Sequence, residues 1–178
     1  MKIFTITKEH TNEKNEYIGP DLSDYDGHIE ADEGLGCVRF KSLKASGYIL
    51  FKAGSGIKAG DGIDAGRGIE AGWGIDAGRG IEAGDGIDAG RGIKAGDGID
   101  AGWGIEAGEG IEAGNGIEAG WSIKAGLSIK CTILSSKLRI FAGLCIWREP
   151  QPEEMVIECN RLEKGTVCFG KLNEKDKI

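Results

Sequence analysis

From Ile57 onward an aliphatic residue returns at every sixth position: Ile57, Ile63, Ile69, Ile75, Ile81, Ile87, Ile93, Ile99, Ile105, Ile111, Ile117 and Ile123. Ala follows each of them two places later and Gly three places later, and a charged residue stands between Ile and Ala. A helix is excluded, because each interior Gly costs about 1 kcal/mol relative to Ala. In an extended segment residues two apart share a face, so Ile and Ala point inward and the charge between them points outward. The Gly-x-Gly that follows is expected to supply positive φ for a corner. Each hexad is then one short strand and one corner, and stacked hexads make an all-β fold, a β-solenoid.

Two hexads to a turn give a flattened coil of twelve residues; three give an eighteen-residue triangular prism. Charge discriminates between them, because residues stacked about 4.8 Å apart repel when they carry the same sign. At twelve, Arg67, Arg79 and Arg91 stack on one another, as do Asp64, Asp76, Asp88 and Asp100. At eighteen, Asp61, Arg79 and Asp97 alternate, Arg67 meets Asp85, Arg91 meets Glu109, and Lys58, Asp76, Lys94 and Glu112 alternate as well. The column Asp64, Glu82, Asp100 and Glu118 stays wholly acidic. The three-sided coil, about four turns over the strict array, is therefore favoured over the twelve-residue one.

Outside the array the pattern loosens, and three regions follow: an N-terminal cap over residues 1–56, the hexapeptide-repeat solenoid over 57–128 and a C-terminal β cap over 129–178. Alternation predicts strands at Met1–Thr7, Gly36–Ser42 and Tyr48–Lys52, with a polar, turn-rich connection from Thr11 to Asp26. After the array, Leu138–Trp147 reads as a strand stopped by Pro150 and Pro152. Met155–Cys159 and Thr166–Leu172 read as a hairpin about Glu163-Lys164-Gly165. Both flanks are expected to be small antiparallel β caps, since an uncovered solenoid edge invites polymerisation.

Composition narrows the functional classes. Gly makes up 32 of 178 residues, hydrophobic residues are 40% and Pro only 3, which excludes collagen and a disordered chain. No leader-like apolar segment opens the sequence and no apolar run is long enough for a membrane span. Between Ile57 and Gly126 there are six basic and thirteen acidic side chains, so this segment alone carries the whole net charge of −7. That sign argues against direct nucleic-acid or membrane binding. Cys37, Cys131, Cys145, Cys159 and Cys168 form no C-x-x-C pair and read as buried free thiols of a reducing compartment.

The repeats offer little catalytic chemistry. A hexapeptide-repeat acyltransferase relies on histidine, and the hexads contain none; an antifreeze solenoid needs Thr ladders, also absent. The Gly-x-Gly steps lack the helix that a phosphate loop requires. The recurring carboxylates lie on a solvated face rather than in a dyad, and they stand mid-strand rather than in calcium-binding turns. No catalytic residue, cofactor or metal ligand is expected, and the chain does not read as an enzyme. Trp73, Trp103 and Trp121 fill the outward corner slot that elsewhere carries Asp, Arg, Glu or Asn. They are either covered by flanking loops or are exposed anchors of a protein interface; Trp147 is expected in the core of the C-terminal cap.

The Gly-Ile-x-Ala-Gly array, preceded by Asp21-Leu22-Ser23-Asp24-Tyr25-Asp26-Gly27-His28-Ile29 and followed by Leu138-Arg139-Ile140-Phe141-Ala142-Gly143-Leu144-Cys145, resembles uncharacterised repetitive proteins of phages and prophages of Gram-positive bacteria. The resemblance implies a bacterial cytoplasm and a mobile-element context, in which small acidic proteins inhibit host defences such as CRISPR nucleases. The expected function is then an anti-CRISPR-like inhibitor whose partner is a host nucleic-acid-handling protein, such as a nuclease complex. Its binding surface would be Asp64, Glu82, Asp100 and Glu118 with the three corner tryptophans. The alternative is a structural protein that forms homo-oligomers through its C-terminal cap.

Overall fold

An Ile-x-Ala segment is too short to persist alone, because most of its backbone groups find partners only in copies above and below. The computed structural model, which describes residues 1–176, supplies those copies: a parallel β-solenoid of about eight turns with about eighteen residues in each. Ile57 pairs with Ile75, Ile75 with Ile93 and Ile93 with Ile111, eighteen positions apart each time. The coil has three sides, as the charge pattern predicts, and the twelve-residue alternation of the sequence plays no part in the pairing.

The three faces take their names here from one outward residue each. The Asp64 face stacks Leu43–Ala45, Ile63–Ala65, Ile81–Ala83, Ile99–Ala101 and Gly116–Ala119. The Glu70 face runs from Ile3–Ile6 through Ile49–Phe51, Ile69–Ala71, Ile87–Ala89 and Ile105–Ala107 to Ile123–Ala125. The Lys58 face runs from Gly36–Phe40 through Ser55–Ala59 and the hexads at Ile75, Ile93, Ile111 and Ile129 to Val156–Cys159 and Lys171–Glu174. Every Ile of the array from Ile57 to Ile123 is buried, at 1% exposure or less. Each coil thus closes on three Ile and three Ala side chains. Phe51 takes an Ala slot between Ala31 and Ala71, and meets Phe40 edge to face at 6.0 Å.

The hydrogen bonds follow the stack through the corners as well as the faces. The Ile57 N–H donates to the Gly74 carbonyl at 3.0 Å, Gly78 N–H to Ala59 at 2.9 Å, and at the corner Arg79 N–H to Asp61 at 3.0 Å. The corners therefore need no left-handed residue, contrary to the sequence expectation: no Gly of the array between Ile57 and Ser128 has positive φ. Glycine is required there for a different reason. A Cβ on the first Gly of a pair, such as Gly78, Gly84 or Gly96, would overlap the carbonyl oxygen of the Gly one coil before it. The second Gly has more room, with a Cβ on Gly86 3.2 Å from the Gly104 carbonyl. Accordingly Ser122 and Ser128 occupy that second position, whereas the first is Gly throughout the array.

The flanks continue the coil instead of forming antiparallel caps. Ile3–Ile6 pairs parallel with His28–Ala31, and the 11–26 segment completes the first turn through the parallel bridges Glu16–Arg39 and Tyr25–Ala45; Thr11–Tyr17 is an antiparallel bridge. At the other end the predicted strand and hairpin are both corrected. One strand, Ile133–Ala142, bends from the Asp64 face onto the Glu70 face, and Arg161–Phe169 repeats that path above it in parallel. Val156–Cys159 pairs with Lys171–Glu174, again in parallel, so Glu163-Lys164-Gly165 is a corner within a strand and not a hairpin turn. The segment 143–155 leaves the coil after Gly143, where a Cβ would strike Met155. Arg148 clamps it by donating to both carboxylate oxygens of Glu154 at 2.6 Å, which holds the Glu154 pKa down to about 2.

Two substitutions test the stacking argument. Gly84→Ala should lower the unfolding free energy by about 1–3 kcal/mol through overpacking, while Gly86→Ser should stay close to neutral. Ile87→Asp, a carboxylate in the apolar centre, should cost several kcal/mol and unfold the rod. Chemical denaturation followed by circular dichroism measures all three, and equal losses for the two glycine variants would refute the close-approach account.

Candidate functional site

Outward residues at the centre of each strand are forced into columns by the register. On the Asp64 face the column is Asp64, Glu82, Asp100 and Glu118, brought together as the sequence predicts. Lys44 begins it, its Nζ 3.0 Å from Asp64, and Ser135 ends it. A second acidic column, not anticipated from the sequence, runs along the Glu70 face as Glu70, Asp88 and Glu106, ending in Lys124, whose Nζ is 3.1 Å from Glu106. Its signal was present at the eighteen-residue spacing, but the terminal Lys breaks the run of one sign.

The third face behaves differently. Lys58 pairs with Asp76 at 2.7 Å and Lys94 with Glu112 at 3.3 Å, so these four charges cancel. Arg79 approaches Asp61 at 3.6 Å on the corner beside it. Within the array the Asp64 column contributes −4 and the Glu70 column, with Lys124, −2, which is six of the seven net negative charges of the segment. Each acidic column floors a shallow groove, of about 680 Å³ on the Asp64 face and about 510 Å³ on the Glu70 face.

The two acidic faces share an edge, and Trp103 and Trp121 stand on it in consecutive coils. Their rings stack 5.6 Å apart at 8°, and they are 58% and 57% exposed. Among the described residues no flanking loop covers them. Leu138 continues the edge, its N–H donating to the Trp121 carbonyl at 2.9 Å and its side chain exposed. Trp73 is separated from this pair: it lies on the edge between the Glu70 and Lys58 faces, with the Arg91 guanidinium 4.6 Å from its ring centroid. Arg91 therefore meets an indole rather than the Glu109 that its column suggests. Trp147, expected in a core, is exposed in the 143–155 segment with Arg148 beside it at 5.2 Å.

Burial perturbs one ladder acid. Asp88 has its pKa raised, first by desolvation and then by Glu106 and Glu70, against a smaller opposing pull from Lys124. Leu144 and Ile146 line a hollow with Asp88 and Glu106, so the 143–155 segment leans over the end of this ladder. The cysteines are only partly as expected: Cys131 and Cys159 are buried, but Cys37 and Cys145 are half-buried and Cys168 is exposed. Burial pushes the Cys131 thiol up to about 12. Among the described residues no three His, Cys, Asp or Glu side chains are placed to hold a metal ion, and no helix is long and apolar enough to cross a membrane.

No family model, curated protein or solved structure matches the chain.

The Asp88 environment makes a signed prediction. Its folded-state pKa lies above the ordinary value, so the native state binds the proton more tightly than the unfolded state does. Stability is then gained as pH falls through the raised pKa and withheld above it. Asp88→Asn should raise the thermal midpoint at pH 7, and the gain should shrink as pH drops below the ordinary carboxylate range. Thermal scans of both proteins at pH 7 and at pH 3.5 test this, and a gain equal at both would refute it.

Proposed function

We propose that this protein is a non-enzymatic binding protein whose acidic faces occupy a basic, nucleic-acid-handling surface of a partner protein. In the mobile-element context that the sequence resemblance implies, the partner is a host defence nuclease and the outcome is inhibition. One observation carries the reading: six of the seven net negative charges of the array lie on two ladders flanking one edge, while the third face neutralises itself. Like carboxylates stacked about 4.8 Å apart cost on the order of 1 kcal/mol per neighbouring pair even at the dielectric of water. The fold would lose nothing by alternating signs there, as it does on the Lys58 face.

The spacing suits the role. Two columns each bearing one charge per about 4.8 Å give one per about 2.4 Å of axis, against one per about 1.7 Å of duplex DNA. The density is below that of DNA but of the same order, enough to steer a basic channel onto the rod. A second reading, assembly through the C-terminal end, rests on Leu162, Val167 and Leu172. Among the described residues these inward positions are only half-buried, whereas Leu134, Ile140 and Ile157 beneath them are fully covered.

Recovery of bound proteins from a bacterial host on immobilised full-length chain separates the two readings: a nuclease complex favours the first, the protein alone the second. With the partner in hand, affinity by surface plasmon resonance should fall steeply as salt rises. Replacing Asp64, Glu82, Asp100 and Glu118 together by Lys should reduce that dependence and weaken binding, with circular dichroism unchanged because the Ile core is untouched. Unaltered affinity and salt response in this variant, and in one with Glu70, Asp88 and Glu106 replaced by Lys, would rule out the acidic faces as the binding surface.

A further inference from the structure

One corner tryptophan of this solenoid already carries a guanidinium on its ring. It is Trp73, where Arg91, stacked one coil later on the same edge, lies over the indole at 4.6 Å. On the edge between the two acidic ladders the same slot holds Trp103 and Trp121, and no Arg of the chain lies over either ring among the described residues. One ring face of Trp103 is taken by Trp121. The other is turned toward the preceding coil, where the corner residue is Asp85, whose carbonyl accepts the Trp103 N–H at 3.2 Å. Asp85 is exposed and enters no ion pair among the described residues, not even with Arg67, which stands one coil before it and was expected to meet it.

We infer that the Trp103–Trp121 edge is a receptor for arginine side chains of a protein partner. A guanidinium lies on the open face of Trp103 and donates to the Asp85 carboxylate. This rests on the reading above, that the acidic faces bind a protein, and specifies the chemistry by which the partner is gripped. The two ladders on either side supply the field that draws in a basic segment; the indole face supplies selectivity within it. Arginine fits better than lysine because its planar, weakly hydrated cation both stacks on an indole and forks onto a carboxylate. A nucleic-acid strand would also stack on exposed indoles, but its phosphates would have to lie against the six net negative charges of the ladders. The same charge turns away an anionic membrane surface.

The test uses the full chain, whose 4 tryptophans give resolvable indole N–H signals in a nitrogen-15 correlation spectrum. Hexa-arginine, hexa-lysine and hexathymidylate are titrated in turn. Hexa-arginine should shift the Trp103 and Trp121 signals, leave Trp73 in place, and bind about threefold or more tighter than hexa-lysine. Trp103→Ala should reduce hexa-arginine to the hexa-lysine affinity, with the signals of Trp73 and Trp147 unchanged as the check on folding. Asp85→Asn should erase part of the same advantage. Equal binding of the two peptides, indifferent to Trp103→Ala, overturns the arginine seat while leaving the acidic faces as a binding surface. Failure of both peptides to bind counts against both readings. Shifts caused by hexathymidylate, or by raising the protein concentration alone, would assign the edge to nucleic acid or to a second copy and overturn the inference.

Discussion

How closely one coil can lie on the next governs everything else in this molecule. From Gly78 to Gly126 the first glycine of each pair passes the carbonyl oxygen of its counterpart one turn below at a distance that admits no Cβ. That approach lets corner amides join the same hydrogen-bonded ladder as the strands, so three-residue strands suffice and the backbone is satisfied around the full perimeter. The Ile and Ala columns then follow, because a register fixed at the corners leaves each side chain directly above its equivalent. Burial of each Ile contributes about 1.5–3 kcal/mol, and it does so only because the glycines hold the spacing constant.

The exterior follows from the same register but is not needed by it. Outward positions are free of packing, so their identity records something other than folding. On one face Lys and Asp or Glu alternate and neutralise one another; on the other two, carboxylates are stacked on carboxylates. Lys44 and Lys124 sit at opposite ends of these two columns and pair with the terminal acid in each. The rest of each ladder is thus left without compensation, and on the shared edge Trp103 and Trp121 stand beside Asp100 and Glu118 on one side and the Glu106–Lys124 pair on the other. A surface with three independent faces on one core can be neutral toward solvent on one side and selective on the others.

Much of this was legible in the sequence. The hexad gave the buried Ile and Ala, and the sign of charges eighteen apart distinguished three sides from two. The same reasoning found the Asp64 ladder. It failed where one residue type serves two purposes. Glycine signals both left-handed backbone and close approach, and only the stacking of the coils distinguishes them. It failed again where the period is broken: Ile123 pairs with Ile140, seventeen positions on, and the 143–155 segment interrupts the last coils. Local alternation there suggested hairpins because the parallel partners are a full turn away in sequence. Trp73 was grouped with the other tryptophans by type, although its position places it on a different edge.

The mismatch between a six-residue unit and a three-sided turn has a consequence for how such a gene can change length. Gaining or losing one hexad leaves every Ile over an Ile and every Ala over an Ala, so the rod folds as before. It also turns everything downstream by a third of a revolution relative to everything upstream. The Asp64 ladder would then run onto a different face halfway along, and the 143–155 segment would overhang a different groove. Copy number in this array is therefore a rotational setting as well as a length, and units of three hexads are the steps that restore the three-sided phase.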